Sequence, residues 1–306
     1  LGRTQAEQFV GRSAGMFGIP NSLAGLLELM LPLCLVWLGA RSARVTAKFF
    51  CGWLALLFGF ALVLTGSRGG WIAVTVAVVA WPVLAGRNWR RSLLGGAAVI
   101  AVIAAGLATL HTHSDYARVR IDPFLEGKFE HTRPLIWKVG VQLWQEAPWL
   151  GTGAASYNVL FDRHRPAGFL NEPDWTHNDY LNTLSDYGAV GFALWAGAGA
   201  AMLGLGWHRW RTARSGARTA GARGDFTTHW RWKFGLWLGL LAYAVHLGVD
   251  FHTKIPALAY AGAIVAALLL RDLPAGARGG GLGWRGAALA LGAGVVALGA
   301  IKACRL

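Results

Sequence analysis

Three residues of this sequence, Arg68, Arg133 and His177, have side chains suited to the transfer of a group away from a phosphate. A guanidinium binds phosphate oxygens through two parallel hydrogen bonds, which makes arginine suitable for a diphosphate. A neutral imidazole can accept a proton from an attacking hydroxyl near pH 7. Such arginines could stabilise a departing diphosphate, and such a histidine could deprotonate an attacking hydroxyl.

Both arginines are predicted to lie at the start of a helix. The glycines around Arg68 allow a tight turn, and the next helix is expected to begin near Gly70. A cation beside a helix N-terminus is disfavoured unless an anion lies between them. The alternatives are that Arg68 reaches lipid headgroups and that Arg133 forms a surface ion pair with Glu126 or Glu130.

His177 comes directly before an apolar run, at the end of a long polar stretch. Asp174 or Asp179 could orient its imidazole. We predict Asn178 as a further supporting residue. The alternative is an interfacial histidine that packs beside the neighbouring aromatic residues, which is the common situation for a single histidine.

Possible metal ligands are weakly indicated. His111 and His113, with Asp115, are too few to specify a site, and the three cysteines lack a zinc-type spacing. His246 and Asp250 are four positions apart and are expected to pair on one helical face. The sequence therefore predicts no metal site.

The composition places these residues in a membrane protein. Hydrophobic residues make up 55% of the 306 positions, charged residues 14%, and the mean hydropathy is +0.41. The long apolar runs can each span a bilayer, and in lipid such spans must be helical. We expect an all-α, polytopic integral membrane protein with about eight transmembrane helices and one large periplasmic loop. The predicted spans are Pro20–Leu38, Ala47–Thr65, Gly70–Gly86, Ser92–Leu110, Tyr180–Gly206, Phe234–Asp250, Lys254–Leu270 and Trp284–Ile301.

These spans divide the chain into three parts. Residues 1–110 form an N-terminal membrane part with four helices, 111–179 the polar loop, and 180–306 a C-terminal membrane part with four helices. Within the loop, Pro134–Glu146 has the pattern of an amphipathic helix, which the segment Pro148–Gly153 ends.

The basic residues indicate the orientation. Four loops on one side of the predicted topology hold 16 of the 29 Lys and Arg residues but only two acids, so that side is assigned to the cytoplasm. Residues 111–179, the turn at Arg68 and the segment Asp250–Lys254 then share the opposite face. The basic stretch Arg209–Arg231 is interpreted as a topology signal that contacts anionic lipids, in preference to nucleic acid.

Several segments together resemble the O-antigen ligase and O-antigen polymerase superfamily of bacterial envelope proteins. The resemblance covers roughly residues 11–270. In order, the segments are Gly15-Met-Phe-Gly-Ile-Pro-Asn-Ser-Leu-Ala24, in which Ile19 replaces the family's usual Asn, Ser67-Arg-Gly-Gly70, Arg133 with Trp137 and Pro148-Trp-Leu-Gly-Thr-Gly153, His177-Asn-Asp-Tyr-Leu181 with Gly188-Ala-Val-Gly191, and Asp250-Phe-His-Thr-Lys-Ile-Pro256.

The resemblance implies glycosyl transfer at the periplasmic face of the bacterial inner membrane. The donor would be a glycan on undecaprenyl diphosphate, and the acceptor hydroxyl would belong to lipid A-core, a polysaccharide or a protein. Family members use no cofactor, no nucleotide sugar and no obligatory metal. By position, Arg68 and Arg133 match residues assigned to the donor diphosphate, and His177 matches the proposed catalytic base. Members usually have more spans before the first motif, so this chain is expected to be a fragment or a processed form.

Three alternatives remain at this point. A polymerase of the same superfamily would use the same chemistry with a second glycan as acceptor. A transporter of polyprenyl-linked sugars would place its polar residues near the membrane midplane. A non-catalytic scaffold would need no pair of arginines converging with a histidine.

Overall fold

The computed structural model describes residues 9, 11–40, 43–86, 89–126, 132–219 and 226–271. Helices dominate these ranges, and no strand occurs within them. In chain order the α-helices are α1 (Pro20–Leu38), α2 (Val45–Thr65), α3 (Arg68–Ala85), α4 (Trp89–His113), α5 (Asp115–Leu125), α6 (Thr132–Glu146), α7 (Tyr157–Leu160), α8 (Asp179–Thr219), α9 (Phe226–Leu247) and α10 (Pro256–Leu270).

Five of the described helices are long and apolar enough to cross a membrane, namely α1, α2, α3, α4 and α8. This agrees with the predicted class of all-α integral membrane protein. Helices α9 and α10 overlap the predicted sixth and seventh spans, and α10 has only 15 residues. The predicted span Trp284–Ile301 lies outside the described residues, so the number of eight stays a prediction.

Helix α1 lies at the centre of the bundle, between α2, α3 and α9. Its buried side chains include Leu29, which belongs to one apolar cluster with residues of α9 and α10. Helix α2 instead exposes large apolar side chains such as Phe49, Trp53 and Phe60. Because exposing this much apolar surface to water is costly, we interpret these faces as lipid-covered.

The predicted amphipathic helix is confirmed as α6. It begins at Thr132, two residues before the predicted start, and buries Ile136, Val139 and Leu143. These residues pack against Tyr157 and Phe161 from the segment that follows. The Tyr157 hydroxyl donates to the carbonyl of Ile136 at 2.8 Å, which fastens that segment to α6.

The turn Pro148–Gly153 packs against a break in α8. The break lies at Gly188, where φ is 65° and ψ is −172°. Across it, the Ala189 N–H donates to the Pro148 carbonyl at 2.8 Å, and the Thr152 N–H donates to the Ser185 carbonyl at 3.0 Å. A Cβ at Gly188 would lie 2.3 Å from backbone atoms of Trp149. The two family motifs that contain these glycines therefore form one packed unit.

The end of α9 corrects a prediction. The helix ends at Leu247, and the chain turns there through a hydrogen bond from the Gly248 N–H to the Val245 carbonyl. Asp250 consequently lies in the segment between α9 and α10. It therefore does not share a helical face with His246, although the four-residue spacing had predicted that it would.

The bundle end opposite the motifs is rich in aromatic and basic residues. Trp210 stacks on Phe234 with ring centroids 4.4 Å apart, and Arg214 lies 5.4 Å from the centroid of the Trp210 ring. Arg214 also donates to the carbonyls of Leu84 and Ala85 at the end of α3. Tryptophan beside cationic residues is typical of a membrane interface.

Candidate active site

Two of the predicted site residues meet at a carboxylate that the sequence analysis did not assign to the site. Asp250 Oδ1 lies 3.8 Å from His177 Nδ1, and Asp250 Oδ2 lies 3.8 Å from Arg133 Nη2. The Asp250 side chain is only 2% exposed. A histidine from the start of α8 and an arginine from the start of α6 are thus held on either side of one buried anion.

The surroundings of Asp250 favour its ionised form. Burial alone would raise the pKa of Asp250, but His177 and the imidazoles of His252 and His246 outweigh it and hold that pKa well below its usual range. The Phe251 N–H donates to Oδ1 at 2.9 Å. A buried charge needs partners of this kind, because an unpaired one would be strongly destabilising.

Asn21 and Arg12 extend this cluster to the first helix. The Asn21 amide donates to Asp250 Oδ2 at 2.5 Å, and Arg12 donates to Asn21 Oδ1 at 2.7 Å. Arg12 also donates to the Thr65 carbonyl at the end of α2, at 2.7 Å. Asn21 belongs to the first family motif, which was a signal in the sequence for this position. Arg12 lies outside the motifs, and sequence reasoning missed it.

His177 adopts a backbone conformation that is uncommon for a non-glycine residue, with φ of 51°. Its ring meets Phe251 edge-on at a centroid distance of 4.7 Å. The side chain is 35% exposed, so a second molecule can reach the ring. With its Nδ1 directed towards Asp250, the tautomer that carries the proton on Nδ1 leaves Nε2 able to accept a proton.

Two of the three predicted supporting residues, Asp179 and Asn178, hold the backbone around His177. Asp179 is buried, accepts the Thr253 N–H at 2.8 Å, and donates its own N–H to the Asp250 carbonyl at 3.0 Å. Asn178 Oδ1 accepts the Leu181 N–H in the first turn of α8. Asp174 is exposed. The carboxylate that faces His177 Nδ1 is therefore that of Asp250, because Asp179 is committed to the backbone of the α9–α10 segment.

Arg68 is the first residue of α3, and it is half-buried. The helix begins two residues before Gly70 because the Ser67 hydroxyl accepts the Gly70 N–H at 3.3 Å and caps it. The next residue, Gly69, packs against the ring of His246 so closely that a Cβ there would lie 2.7 Å from it. The turn at Arg68 thus lies at the same end of the bundle as Asp250.

A second buried group of polar residues lies beside Asp250. A hydrogen bond joins Glu28 of α1 to His246 of α9, with 2.8 Å between Oε2 and Nδ1. His252 Nε2 lies 2.9 Å from the same nitrogen. The partners of His246 are thus Glu28 and His252, and the four-residue spacing in the sequence had predicted Asp250 instead. His111, which the sequence analysis considered with His113 and Asp115 as a weak metal-site candidate, instead pairs with Asp122 at 2.5 Å.

Residues 53–196 match the model of the O-antigen ligase family. The match covers just under half of the chain, so the chain is similar to the O-antigen ligase superfamily over this range. This confirms the resemblance drawn from the motifs. The matched range contains Arg68, Arg133 and His177, whereas Asp250 lies beyond it.

A curated relative is also similar over most of the chain. It is described as a probable peptidoglycan glycosyltransferase FtsW from Thioalkalivibrio sulfidiphilus (strain HL-EbGR7). The identity is 28% over 273 residues, which cover 82% of this chain and 60% of the relative. The chain thus spans about 60% of the length of that protein. Both descriptions name enzymes that transfer glycans.

Proposed function

We propose that this protein transfers a glycan from undecaprenyl diphosphate to an acceptor hydroxyl at the periplasmic face of the inner membrane. The observation that carries the proposal is the shared contact of Asp250 with His177 and Arg133, 3.8 Å from each. A base for the acceptor and a cation for the leaving group lie on either side of one fixed anion. The match to the O-antigen ligase family supports the same chemistry.

In the proposed reaction, the acceptor oxygen attacks the anomeric carbon of the donor sugar while His177 Nε2 takes the hydroxyl proton. The bond between that carbon and the diphosphate oxygen breaks, and its electron pair leaves with the diphosphate. Asp250 faces Nδ1 of the imidazole and stabilises the imidazolium that forms. The proton is then released to solvent, which regenerates the base.

The leaving diphosphate gains negative charge, and arginines are suited to stabilise it. Arg133 is 25% exposed and lies at the start of α6, where the helix N-terminus also favours an anion. Arg68 occupies the equivalent position at the start of α3. We assign both arginines to the donor diphosphate, so that protein cations balance its charge and no metal or nucleotide sugar is needed in this step.

A polymerase of the same superfamily is the second candidate, because the relative from Thioalkalivibrio sulfidiphilus is described as a peptidoglycan glycosyltransferase. The two candidates share the donor and differ in the acceptor. For a ligase the acceptor is lipid A-core or a protein hydroxyl, and for a polymerase it is a growing polysaccharide. A transporter is less well supported, because the polar contacts of Asp250 join helix ends and loops.

Replacement of His177 tests the proposed base. General-base assistance typically contributes about 10²–10⁴-fold in rate, so His177→Ala is expected to lower turnover by at least about 10²-fold with donor binding nearly intact. The measurement is glycan transfer from a lipid-linked donor in membranes matched for protein level, with lipid A-core, polysaccharide and protein acceptors in parallel. The acceptor that is glycosylated separates ligase from polymerase.

His164→Gln provides the matched control, because His164 also pairs with a carboxylate, Glu146, at 2.6 Å but lies outside the cluster around Asp250. It is expected to retain wild-type transfer. Wild-type rates in both His177→Ala and His177→Gln would remove the base from the mechanism.

A further inference from the structure

We propose that Glu28, His246 and His252 form a buried binding site for one divalent transition-metal cation, with Zn²⁺ as the best match. The three residues come from α1, from α9 and from the turn before α10. Their side chains are at most 1% exposed. Two imidazoles and one carboxylate are a ligand set that proteins use for zinc, with a fourth position left for water or another ligand.

The donor atoms converge at distances that suit such an ion. His246 Nδ1 lies 2.8 Å from Glu28 Oε2 and 2.9 Å from His252 Nε2, and His252 Nε2 lies 4.0 Å from Glu28 Oε1. Ligands about 2.0–2.2 Å from a tetrahedral zinc ion are separated by roughly 3.3–3.5 Å. The two separations from His246 Nδ1 are shorter than this value, and the one between His252 and the other Glu28 oxygen is longer. One ligand atom from each residue lies within 4.8 Å of the other two, so small shifts of the side chains would seat the ion.

Hydrogen bonds alone cannot satisfy the facing atoms of all three side chains. His246 Nδ1 carries either one proton or one lone pair, yet it faces a carboxylate oxygen and a second ring nitrogen at once. If Nδ1 donates to Glu28, then His252 Nε2 has no separate proton to accept from it. If Nδ1 accepts from His252, then Glu28 receives no hydrogen bond from either imidazole. A cation that accepts a lone pair from all three atoms removes this conflict.

Two further features indicate a site built for a ligand. Glu28 Oε1 is buried without a hydrogen-bond partner among the described residues, on the side of the carboxylate that faces His252. Gly25 and Gly69 leave room for the rings, since a Cβ at either position would lie within 3.0 Å of an imidazole atom. In addition, Asp250 and Glu28 both interact electrostatically with His252, so a divalent cation would balance two buried carboxylates.

The bound cation would join three elements directly beside the proposed active site. Glu28 is seven residues beyond Asn21 on α1, and His252 is two residues beyond Asp250. The ion would therefore fix the position of the segment that carries Asp250, without contact to the donor diphosphate. Its role would be structural, and the transfer step itself would still use only protein groups.

Metal analysis of the full chain tests the proposal. Because the three ligands are buried, the ion is expected to be incorporated as the protein folds, so the protein is produced with zinc in the medium and purified in detergent without chelator. We expect about one zinc ion per chain and an apparent Tm several degrees higher than after treatment with chelator, by ligand-linked stabilisation. His246→Gln and Glu28→Gln should each lower the zinc content at least about fivefold.

His111→Gln is the control, because the pair of His111 with Asp122 has the same chemistry without the third ligand. It should keep the wild-type zinc content. If His246→Gln or Glu28→Gln fails to fold, the zinc content and the chelator-dependent Tm of the wild-type protein test the proposal. The proposal would be overturned if the wild-type protein contained no stoichiometric metal. It would also be overturned if His246→Gln and Glu28→Gln folded and still bound zinc.

Discussion

At the scale of single residues, the proposed site depends on how Asp250 is held. The Asn21 amide and the Phe251 N–H hold its two oxygens by hydrogen bonds, while Arg133 and His177 lie somewhat farther away. These hydrogen bonds therefore fix the carboxylate between the two functional side chains. Many catalytic contacts tighten only when the substrate is bound.

Asp250→Asn is expected to lower glycan transfer by at least about tenfold, or about 1.4 kcal/mol of transition-state stabilisation. The substitution preserves the shape but removes the charge that faces His177 and Arg133. Transfer is measured in membranes at matched protein level. Asp174→Asn is the control, since Asp174 is exposed and should be neutral. Unchanged transfer in Asp250→Asn would show that the anion has no part in the reaction.

Arg133→Lys is expected to lower transfer by about tenfold with the protein level unchanged. Lysine keeps the charge but lacks the planar fork that binds two phosphate oxygens, and one hydrogen bond to a charged group is worth about 1.5–3 kcal/mol. Arg163→Lys, at an arginine near Glu146 that is 63% exposed, serves as the control. Full activity in Arg133→Lys and in Arg133→Ala would limit this residue to a structural or surface role.

At the scale of elements, the break in α8 explains why two separate glycine motifs occur together. The turn Pro148–Gly153 approaches the helix backbone so closely that side chains cannot be accommodated at Gly151 or Gly188, both of which have positive φ. The same helix begins at Asp179, directly after His177. Docking of the turn against α8 therefore stabilises the element that positions the proposed base.

Gly188→Ala is expected to destabilise the protein by about 2 kcal/mol or more, because it combines a left-handed backbone with a steric overlap. An apparent Tm lower by about 5 °C or more in detergent would report the loss. Gly197→Ala lies in the same helix where a Cβ meets open space, and it should be neutral or slightly stabilising. Equal Tm values for the two variants would contradict the close approach.

At the scale of the whole molecule, the two ends of the bundle differ in chemistry. Asp250, His177, Arg133 and the start of α3 lie at one end, and the opposite end carries Arg214 with its cluster of aromatic side chains. On this basis we propose that residues 111–179 face the periplasm, between membrane parts formed by 1–110 and 180–306. The excess of basic residues at the other end then follows the positive-inside rule.

Reporter fusions test this orientation. Alkaline phosphatase fused within residues 111–179 is expected to be active, because the enzyme functions only after export. A fusion near Ser215, in the basic part of α8, should be inactive. Fusions of a cytoplasmic reporter at the same positions control for expression and should give the opposite pattern. Active phosphatase near Ser215 with inactive fusions in the loop would place the site in the cytoplasm and contradict the proposed function.

The sequence alone determined the class of protein, the approximate bounds of seven helices and the resemblance to the O-antigen ligase superfamily. These properties are local, because hydropathy, turn residues such as the glycines beside Arg68 and short motifs each depend on residues that are neighbours in the sequence. The amphipathic helix α6 was predicted to within two residues for the same reason. The roles of Arg68, Arg133 and His177 stay predictions, although the last two are brought to one carboxylate.

Only the tertiary structure decided which polar groups meet. Asn21 and Asp250 are 229 positions apart, and Glu28 and His246 are 218 positions apart, so no local pattern connects them. Their contacts depend on how α1 packs against α9 and on the turn that ends α9 before Asp250. Helix packing and the position of a turn are set by the whole core, and this is why the sequence suggested other partners for His177 and His246.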